Sequence, residues 1–290
     1  MPVVDIKKYQ VELNPTWCPG CGDYGLLRGL QTALAKLDID PSRVVIVSGI
    51  GCSSNLPHFI KGYGYHSLHG RSLPTAQGIK MANPDLLVIA AGGDGDGYGI
   101  GVGHFVHACR RNLDITYVVM NNQIYGLTTG QTSPTSDFGS KTKSSPDGNY
   151  EFGLNPILVA IASGATFVAR TFSGEPEHMS EIIAKAIQHR GFALVDDISP
   201  CVTYNKKNTY QWFKERIYKL EDVGHNPYDI SQAMQRASEW EDKIPIGIFY
   251  INPDKPSHDQ IDPVIRDGGV VNKPIELTEE QKKEILQAFL

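Results

Sequence analysis

Apolar runs alternate along the chain with segments of helical periodicity. The runs are rich in β-branched residues and end in glycine or polar residues, which is typical of strands buried on both faces. The predicted strands cover residues 43–48, 86–91, 115–120, 165–169 and 192–198. Apolar residues spaced three and four positions apart predict helices over residues 24–37, 99–111, 156–163 and 176–190. The polar segment 128–150 predicts a long loop, and such loops are often functional.

The order of these elements predicts the fold class. Strands that alternate with helices form βαβ units, and such units build a parallel sheet with helices on both faces. We therefore expect an α/β fold with a doubly wound, mainly parallel sheet in residues 1–200. Residues 201–290 are expected to form a C-terminal extension that packs on this core and on a partner subunit. Thr278 and Gln281 predict the capped start of a terminal amphipathic helix.

Composition narrows the classes of function. Hydrophobic residues are 41% and charged residues 20% of the 290 residues, and no apolar run is long enough to cross a membrane. The amino terminus lacks the pattern of a signal peptide, so we expect a cytoplasmic protein. The net charge of −5 argues against a nucleic-acid partner, because phosphate binding needs clustered lysine and arginine. Five cysteines without a secretory context favour thiols or metal ligands over disulfides.

A glycine-rich loop after the second predicted strand is a candidate for cofactor binding. Gly93-Asp94-Gly95 is followed, at the end of the next strand, by Asn122 and Ile124. A carboxylate, an amide oxygen and a backbone carbonyl suit Mg²⁺, and glycines let the backbone approach a diphosphate. The pattern resembles the motif of thiamine-diphosphate enzymes, and a glycine-rich turn with a solvated aspartate is the alternative. A dinucleotide site is disfavoured, because no glycine triplet in residues 92–103 fits G-x-G-x-x-G.

Four of the cysteines lie next to the ends of predicted elements. Cys18 and Cys21 form a C-x-x-C pair ahead of the first helix, and Cys52 and Cys201 follow strands. Four thiolates can hold Zn²⁺ or an iron–sulfur cluster, and the spacing does not choose between them. The positive end of the helix that begins near Asp23 favours an anionic thiolate site of either kind.

Five ordered motifs resemble the β subunit of 2-oxoacid:ferredoxin oxidoreductases. They span most of residues 14–140 and are Trp17-Cys18-Pro19-Gly20-Cys21-Gly22, Gly49-Ile50-Gly51-Cys52-Ser53-Ser54, His69-Gly70-Arg71, Gly92-Gly93-Asp94-Gly95-Asp96 and Asn121-Asn122-Gln123-Ile124-Tyr125-Gly126-Leu127-Thr128. Cys201 suits the distant fourth cluster ligand of that family. Around the second and third motifs, the resemblance is closer to 2-oxoglutarate enzymes than to pyruvate enzymes.

The resemblance implies a thiamine-diphosphate-binding fold of the diphosphate-binding type, together with one [4Fe–4S] cluster. By carry-over, the cluster would bind Cys18, Cys21, Cys52 and Cys201. Mg²⁺ would bind Asp94, Asn122 and the Ile124 carbonyl. Thiamine diphosphate would contact Ile50, Gly51, Cys52, Ser53, His69, Gly95, Asp96, Gly126 and Leu127. The remaining cysteine, Cys109, lies within a predicted helix and is expected to be a small buried side chain.

Two residues of the third motif are candidates for contact with the reacting groups. His69 can transfer a proton near neutral pH, and we favour this catalytic role over ordinary hydrogen bonding within a loop. Arg71 could bind a substrate carboxylate through its planar guanidinium or form a structural salt bridge, and both alternatives stay open. His58, His104 and His107 have no partner that the sequence reveals.

The resemblance also implies an activity. The enzyme would convert 2-oxoglutarate, coenzyme A and oxidised ferredoxin reversibly to succinyl-CoA, CO₂ and reduced ferredoxin. Addition of the thiamine ylid, decarboxylation and one-electron transfers to the cluster would carry the reaction. Pyruvate or a broad range of 2-oxoacids is the alternative, because Asn55 and Thr129 stand where some relatives carry lysine. The physiological direction stays open.

The family pattern implies partner proteins as well. Its enzymes take a glutamate from another domain or subunit to activate the aminopyrimidine of the cofactor, and no motif of this chain resembles that domain. We therefore expect an α subunit, an α₂β₂ assembly and no activity of the chain alone. A non-oxidative thiamine enzyme would not need the four cysteines, and a zinc-stabilised binding protein would not need the Asp94 and Asn122 pattern.

Overall fold

The computed structural model describes residues 5–274 and 276–290. Its strands are β1 (Val44–Ser48), β2 (Tyr63–His66), β3 (Leu87–Gly93), β4 (Ile115–Asn121), β5 (Ile124–Tyr125), β6 (Gln131–Thr132), β7 (Phe167–Phe172), β8 (Phe192–Ile198), β9 (Ile217–Lys219) and β10 (Ile244–Ile251). Its helices are α1 (Asp23–Lys36), α2 (Ser72–Ala82), α3 (Val102–Arg111), α4 (Pro156–Ala162), α5 (Pro176–Gln188), α6 (Tyr210–Lys214), α7 (Ile230–Ala237), α8 (His258–Ile261) and α9 (Glu279–Gln287).

Eight of the strands form one sheet in the order β2-β1-β3-β4-β8-β7-β10-β9. Neighbouring strands from β2 to β7 in this order are parallel, whereas β10 is antiparallel to β7 and parallel to β9. The other two strands, β5 and β6, form a separate antiparallel pair. The predicted fold class, a doubly wound and mainly parallel α/β sheet, is confirmed.

Helices bury the sheet on both faces. One hydrophobic core lies between the sheet and helices α1 and α5, and a second core lies between the sheet and helices α2, α3 and α4. Strands β4 and β8 are buried at every position for this reason. Double burial explains why these strands are almost continuous apolar runs in the sequence.

The strand order reverses between β1 and β3. From β1 the chain continues to β2 on one side, and from β3 it continues to β4 on the other side. Open α/β sheets bind ligands in the crevice that forms at the carboxyl ends of the strands beside such a reversal. The loops after β1 and β3 flank this crevice, so the fold itself marks residues 49–52 and 94–96 as site residues.

Several elements escape the sequence patterns. Strand β2 is exposed at all its positions and shows no apolar run, and helix α2 is not predicted. Strand β10 contains Pro245 and Gly247, which interrupt its pattern, and it adds residues of the C-terminal part to the main sheet. The predicted helix over residues 99–111 begins later than expected, as α3 at Val102, and a π-helical turn, Gly95–Ile100, precedes it.

Other expectations concern burial. Cys109 is fully buried in the core formed by α2, α3 and α4, as predicted. Helix α9 begins with the predicted capping pair, Thr278 and Gln281, but none of its residues is buried. Within the described ranges, we find no helix with the length and apolar character that crossing a bilayer requires.

Candidate cofactor site

A cavity of about 240 Å³ lies between the loops that follow β1, β3 and β4. Its lining contains every residue expected to contact thiamine diphosphate or Mg²⁺, together with Gly93, Met120, Tyr125 and Thr128. The carboxyl ends of separate strands thus bring three distant sequence motifs to one place, at the reversal of strand order.

Asp94 is buried directly after β3, with one side of its carboxylate held by hydroxyl groups. Its Oδ2 atom accepts hydrogen bonds from Ser133 Oγ and, at 2.6 Å, from Thr135 Oγ1. Burial raises the pKa of the Asp94 carboxyl to about 6, although these hydroxyl donors act in the opposite direction. A buried carboxylate needs a compensating cation, and its hard oxygen suits Mg²⁺. The residues therefore fit the expected metal.

The turn from Asn122 to Ile124 supplies the other expected metal ligands. Asn122 Oδ1 accepts a hydrogen bond from the Ile124 backbone N–H at 3.1 Å, which closes the turn. Gln123 has a φ of 58°, a left-handed conformation that is uncommon outside glycine. The buried Gln123 amide donates to the Thr135 carbonyl at 2.9 Å and to Asp137 Oδ1 at 3.1 Å. These bonds stabilise the strained backbone of the turn.

Asp96 differs from Asp94 in its contacts. Its Oδ1 atom accepts hydrogen bonds from the backbone N–H groups of Ile50, at 2.9 Å, and Gly70, at 2.7 Å. The same oxygen lies 3.0 Å from Nδ1 of His69. Asp96 therefore joins the loop after β1 to the His69 loop and orients the imidazole. It also lines the cavity, where its contact with the cofactor stays a prediction.

Two anchors hold the C-x-x-C loop against the other loops that carry cysteines. Trp17 Nε1 donates a hydrogen bond to the Cys52 carbonyl at 2.8 Å. Gly22 N–H donates to the Pro200 carbonyl at 3.1 Å, beside the fourth cysteine of the pattern. Glycine is required at position 22, because a Cβ atom there would lie 2.6 Å from the Ser199 backbone. Helix α1 begins directly after this contact.

The four cysteines of the pattern lie near one another, and two of them lie beside Gly126. Sγ of Cys52 and Sγ of Cys201 lie 3.6 and 3.7 Å from the position that a Cβ atom of Gly126 would occupy. Burial, with contributions from a nearby carboxylate and from Cys201 and Cys18, raises the pKa of Cys52 to about 12. Burial also raises the pKa of Cys21, with a smaller contribution from Cys52. Such thiols become thiolates when a metal centre provides positive charge.

Within residues 5–274 and 276–290, no group of three or more His, Cys, Asp and Glu side chains is arranged to hold one metal ion. A [4Fe–4S] cluster has a different requirement, because its four thiolates bind the cluster rather than sharing one ion. Cys52 and Cys201 both lie beside Gly126, and four cysteines of one chain provide the number of thiolates that such a cluster needs.

Arg71 lies outside the lining of the cavity. It is exposed, and its Nη1 atom contacts Nε2 of His104 on helix α3 at 2.5 Å. The structure therefore does not bring Arg71 together with the other candidates, and its contact with a substrate carboxylate stays a prediction. His104 gains a partner that the sequence did not reveal.

Two residues of the site carry no recognisable signal in the sequence, and a third, Tyr125, lies in the fifth motif without a predicted role. Ser133 and Thr135 lie in the polar segment 128–150, for which only the length indicates a function. The Tyr125 hydroxyl donates to the Gly95 carbonyl at 3.1 Å. A Cβ atom at Gly95 would lie 2.2 Å from the Tyr125 ring, so Tyr125 explains why this position needs glycine.

Two protein-family models match the chain. Residues 49–196 match the C-terminal TPP-binding domain of thiamine pyrophosphate enzymes. Residues 201–267 match the C-terminal part of the pyruvate ferredoxin oxidoreductase β subunit. The first match contains all the residues that line the cavity. The C-x-x-C residues precede it and lie outside it.

Curated relatives and a solved structure agree with these matches. The β subunit of 2-oxoacid:ferredoxin oxidoreductase 1 from Aeropyrum pernix is 49% identical over 88% of this chain and 83% of its own length. The corresponding subunit from Saccharolobus solfataricus is 51% identical over 84% and 83%. Subunit KorB of 2-oxoglutarate oxidoreductase from Mycobacterium tuberculosis is 43% identical over 69% and 53%. The structure of 2-oxoglutarate:ferredoxin oxidoreductase from Magnetococcus marinus, with 2-oxoglutarate, coenzyme A and succinyl-CoA bound, superposes with a TM-score of 0.91 at 40% identity, covering 99% of this chain and 97% of that chain.

Proposed function

This chain belongs to the β subunits of thiamine-diphosphate-dependent 2-oxoacid:ferredoxin oxidoreductases, and we propose that its principal substrate is 2-oxoglutarate. The reaction would form succinyl-CoA, CO₂ and reduced ferredoxin from 2-oxoglutarate, coenzyme A and oxidised ferredoxin, reversibly. The likeness to the Magnetococcus marinus enzyme, which extends over almost the whole of both chains, is the observation that carries this proposal. The KorB relatives support it.

A broader range of 2-oxoacids is the second candidate. The relatives from Aeropyrum pernix and Saccharolobus solfataricus are named for 2-oxoacids in general, and they are more similar to this chain than the KorB relatives are. Asn55 and Thr129 differ from the lysines of some relatives, and this difference favours neither candidate.

The residues at the cavity have distinct roles in this proposal. Asp94, Asn122 and the Ile124 carbonyl would hold Mg²⁺, which would supply positive charge for the diphosphate of the cofactor. Thiamine diphosphate supplies a carbon nucleophile for the keto group and accepts the electron pair that is released as CO₂ leaves. The remaining contacts of the cofactor come from the lining residues of the loops after β1 and β4.

His69 acts at the reacting end of the cavity in this proposal. Its Nδ1 is directed to Asp96, so Nε2 is the atom that remains to exchange a proton. The pairing with a carboxylate fixes the ring orientation, which is what a proton-transferring histidine requires.

Cys18, Cys21, Cys52 and Cys201 bind one [4Fe–4S] cluster in this proposal. The cluster supplies a one-electron acceptor beside the thiamine site, and Cys52 lines the cavity while also facing Gly126. As a β subunit, the chain works with an α subunit, and we expect the complete enzyme to be α₂β₂ with ferredoxin as the electron acceptor.

The experiment that tests the proposal uses the chain purified without oxygen together with its α subunit. Iron and sulfide are measured, and electron paramagnetic resonance spectra are recorded before and after adding coenzyme A with 2-oxoglutarate or with pyruvate. We expect about four irons per chain, as a [4Fe–4S] cluster requires, and a reduced-cluster signal that forms faster with 2-oxoglutarate. Zinc in place of iron, or faster reduction by pyruvate, would contradict the cluster or the substrate respectively.

Two cysteine variants provide a matched control. Cys201→Ser should lower the iron content, because it removes one proposed ligand, whereas Cys109→Ser should leave it unchanged, because Cys109 lies on α3 in the hydrophobic core. Equal iron content in the two variants would show that Cys201 is not a ligand.

A further inference from the structure

A patch of lysines lies beside the proposed cluster. Lys141, Lys206 and Lys207 line one open surface cavity, and its described lining contains no acidic side chain. Lys141 lies in the loop after β6, and Lys206 and Lys207 follow the fourth cysteine of the pattern. The chain as a whole has a net charge of −5, so this local concentration of positive charge differs from the average surface.

The lysine patch is connected directly to the loops that carry cysteines. Lys206 Nζ donates a hydrogen bond to the Val202 carbonyl at 2.7 Å, one residue after Cys201. Val202 lies against the C-x-x-C loop, because its Cγ1 atom is 3.7 Å from the position of a Cβ atom on Gly20. The positive charge of Lys206 is therefore held at the surface directly outside the four cysteines.

The same surface is exposed and partly apolar. Cys18 is exposed, and so are Pro19 and Gly20. Val202 and Tyr204 are each 37% exposed. Among the cysteines of the pattern, Cys18 is thus the one that reaches the surface, whereas Cys21 and Cys201 are buried.

The three lysines keep their charge available in different ways. Lys207 lies 3.0 Å from Asp137 Oδ2, but its side chain is 53% exposed. Lys141 is exposed and forms no ion pair in the described part of the chain. Lys206 is fixed by a neutral carbonyl, so its charge is not neutralised by that contact.

We propose that the surface formed by Cys18–Gly20, Val202 and Tyr204, with the patch of Lys141, Lys206 and Lys207, is the docking site for an acidic ferredoxin. The inference rests on the proposed cluster at the four cysteines and adds the place where its electrons leave the subunit. A small apolar centre beside fixed positive charge suits a transient redox partner, whose interface is small and whose approach is guided by charge. The geometry places the guiding charge next to the exposed cysteine.

The test compares the complete enzyme, with its α subunit, in the forms wild type, Lys141→Glu, Lys206→Gln and Lys61→Glu. Lys61 is an exposed lysine before the amino end of β2, whereas Cys52 and Cys201 follow the carboxyl ends of β1 and β8, so its variant controls for net charge. The electron acceptor is either a purified acidic [4Fe–4S] ferredoxin or methyl viologen, with the substrate and coenzyme A saturating, and the KM for coenzyme A is measured separately. Rates are measured over a range of salt concentrations.

We expect Lys141→Glu to lower kcat/KM for ferredoxin about ten-fold at low salt, because charge guides the encounter. Lys206→Gln should lower it less, since it removes one charge rather than reversing it. Both differences should shrink as salt is raised, and the rates with methyl viologen and the iron content should match the wild type. Lys61→Glu should not change kcat/KM for ferredoxin.

Other outcomes would overturn the proposal. An equal fall with ferredoxin and methyl viologen would mean that the lysines only support the cluster. A change confined to the KM for coenzyme A would mean that the cavity binds phosphate groups, and the same effect from Lys61→Glu would indicate net charge alone. A wild-type enzyme without iron that reduces neither acceptor would instead refute the proposed function, and the docking site with it.

Discussion

Asp94 and Asp96, which are separated by Gly95, make different contacts in the loop after β3. Asp94 Oδ2 is held by Ser133 and Thr135, so its other oxygen is the one available to a cation. Asp96 instead uses Oδ1 to hold two backbone N–H groups and His69. Gly95 lies between the two aspartates, and any side chain there would collide with the Tyr125 ring. The chemistry of the loop thus depends on contacts from distant segments.

The hydroxyl of Thr135 should set the affinity for Mg²⁺. It lies 2.6 Å from Asp94 Oδ2 and 2.9 Å from Asn121 Oδ1. The hydroxyl therefore orients the carboxylate of Asp94, a proposed Mg²⁺ ligand, through the oxygen that does not face the ion. Thr135→Val keeps the shape of the side chain but removes the hydroxyl, and we expect Mg²⁺ affinity to fall by about ten-fold or more, as for other supporting contacts of metal ligands. Calorimetric titration of the complete enzyme with Mg²⁺, in the presence of thiamine diphosphate, measures the change.

Thr135→Ser is the matched control, because it retains a hydroxyl at the same position. We expect its Mg²⁺ affinity to stay near that of the wild type. If Thr135→Val binds Mg²⁺ as tightly as Thr135→Ser, the hydroxyl has no part in preparing Asp94 for the metal.

Asp197 should make the stability of the fold depend on pH. It is buried on β8, and this burial raises the pKa of its carboxyl well above 3.8, despite hydrogen bonds from Ser173 and Thr171. The folded state therefore keeps a proton that the unfolded chain has lost. The resulting stabilisation is fully present below about pH 4 and is lost as the pH rises from there towards the raised pKa.

The Asp197→Asn variant removes this titration. We expect the free energy of unfolding of the variant, minus that of the wild type, to increase as the pH rises from 5 to about 8, because only the wild type loses this stabilisation. Urea denaturation of both chains at several pH values measures the difference, which also cancels the contributions of other buried carboxyls. A difference that does not change with pH would show that Asp197 keeps its charge in the folded protein.

At the residue scale, motifs in the sequence mark the proposed ligands but not the residues that support them. Asp94, Asn122 and the four cysteines lie in recognisable motifs, and the structure brings each set together. Ser133 and Thr135 reach Asp94 from a polar loop whose sequence has no periodicity. Their contacts depend on how that loop folds back, which local patterns do not describe.

At the scale of elements, burial decides which predictions succeed. Strands β1, β4 and β8 lie inside the sheet between two layers of helices, so their apolar runs predict them. Strand β2 lies at the edge and is exposed, so no apolar run marks it. Strand β10 pairs antiparallel with β7, although it lies far beyond the βαβ pattern in the sequence. This pairing is a tertiary contact, which local sequence patterns do not predict.

A buried ion pair couples the strands on which the C-terminal part packs. Arg170 on β7 lies with Nε 3.4 Å from Asp196 Oδ2 on β8, and both side chains are almost fully buried. The guanidinium also lies 5.1 Å from the ring centroid of Trp240 and 5.4 Å from that of Phe249 on β10. Arg170 on β7 thereby contacts β8 and β10, and also Trp240 in the loop before β10.

Removing one partner of this pair should be costly. Arg170→Met leaves the Asp196 charge buried without its cation, and we expect a loss of about 3 kcal/mol or more in the free energy of unfolding. Adding Asp196→Asn neutralises that charge, so the double variant should lose less than the sum of the two single variants. Urea denaturation of the four chains gives the coupling. Additive losses would show that the ion pair contributes little by itself.

At the scale of the whole molecule, the division of the chain is less sharp than the sequence suggests. Strands β9 and β10, in the expected extension of residues 201–290, complete the main sheet. One family match ends at residue 196 and the next starts at residue 201, and the division into a domain and an extension stays a prediction. Whether the extension also packs on a partner subunit stays a prediction.

The surface around the cavity indicates where a partner covers it. Leu68, Ile100 and Leu127 are 74%, 56% and 58% exposed, although Leu127 lines the cavity and Leu68 precedes His69. Ile100 also lies close to the His69 loop, since its Cγ2 atom is 2.6 Å from the position of a Cβ atom on Gly70. Large exposed apolar side chains around a site are typical of a surface that another protein buries.

The chain alone should therefore bind its cluster but fail to decarboxylate a 2-oxoacid. The four cysteines come from this chain, whereas the reacting end of the cavity is open beside Leu127 and has only His69 as a proposed proton donor. We expect the isolated chain to contain iron and to release no ¹³CO₂ from 2-oxo[1-¹³C]glutarate with methyl viologen as acceptor. Titration with the α subunit should restore release, reaching its maximum at equal amounts of the two subunits, with sedimentation reporting α₂β₂. Release of CO₂ by the isolated chain would mean that its own residues complete the site, and the exposed leucines would then need another explanation.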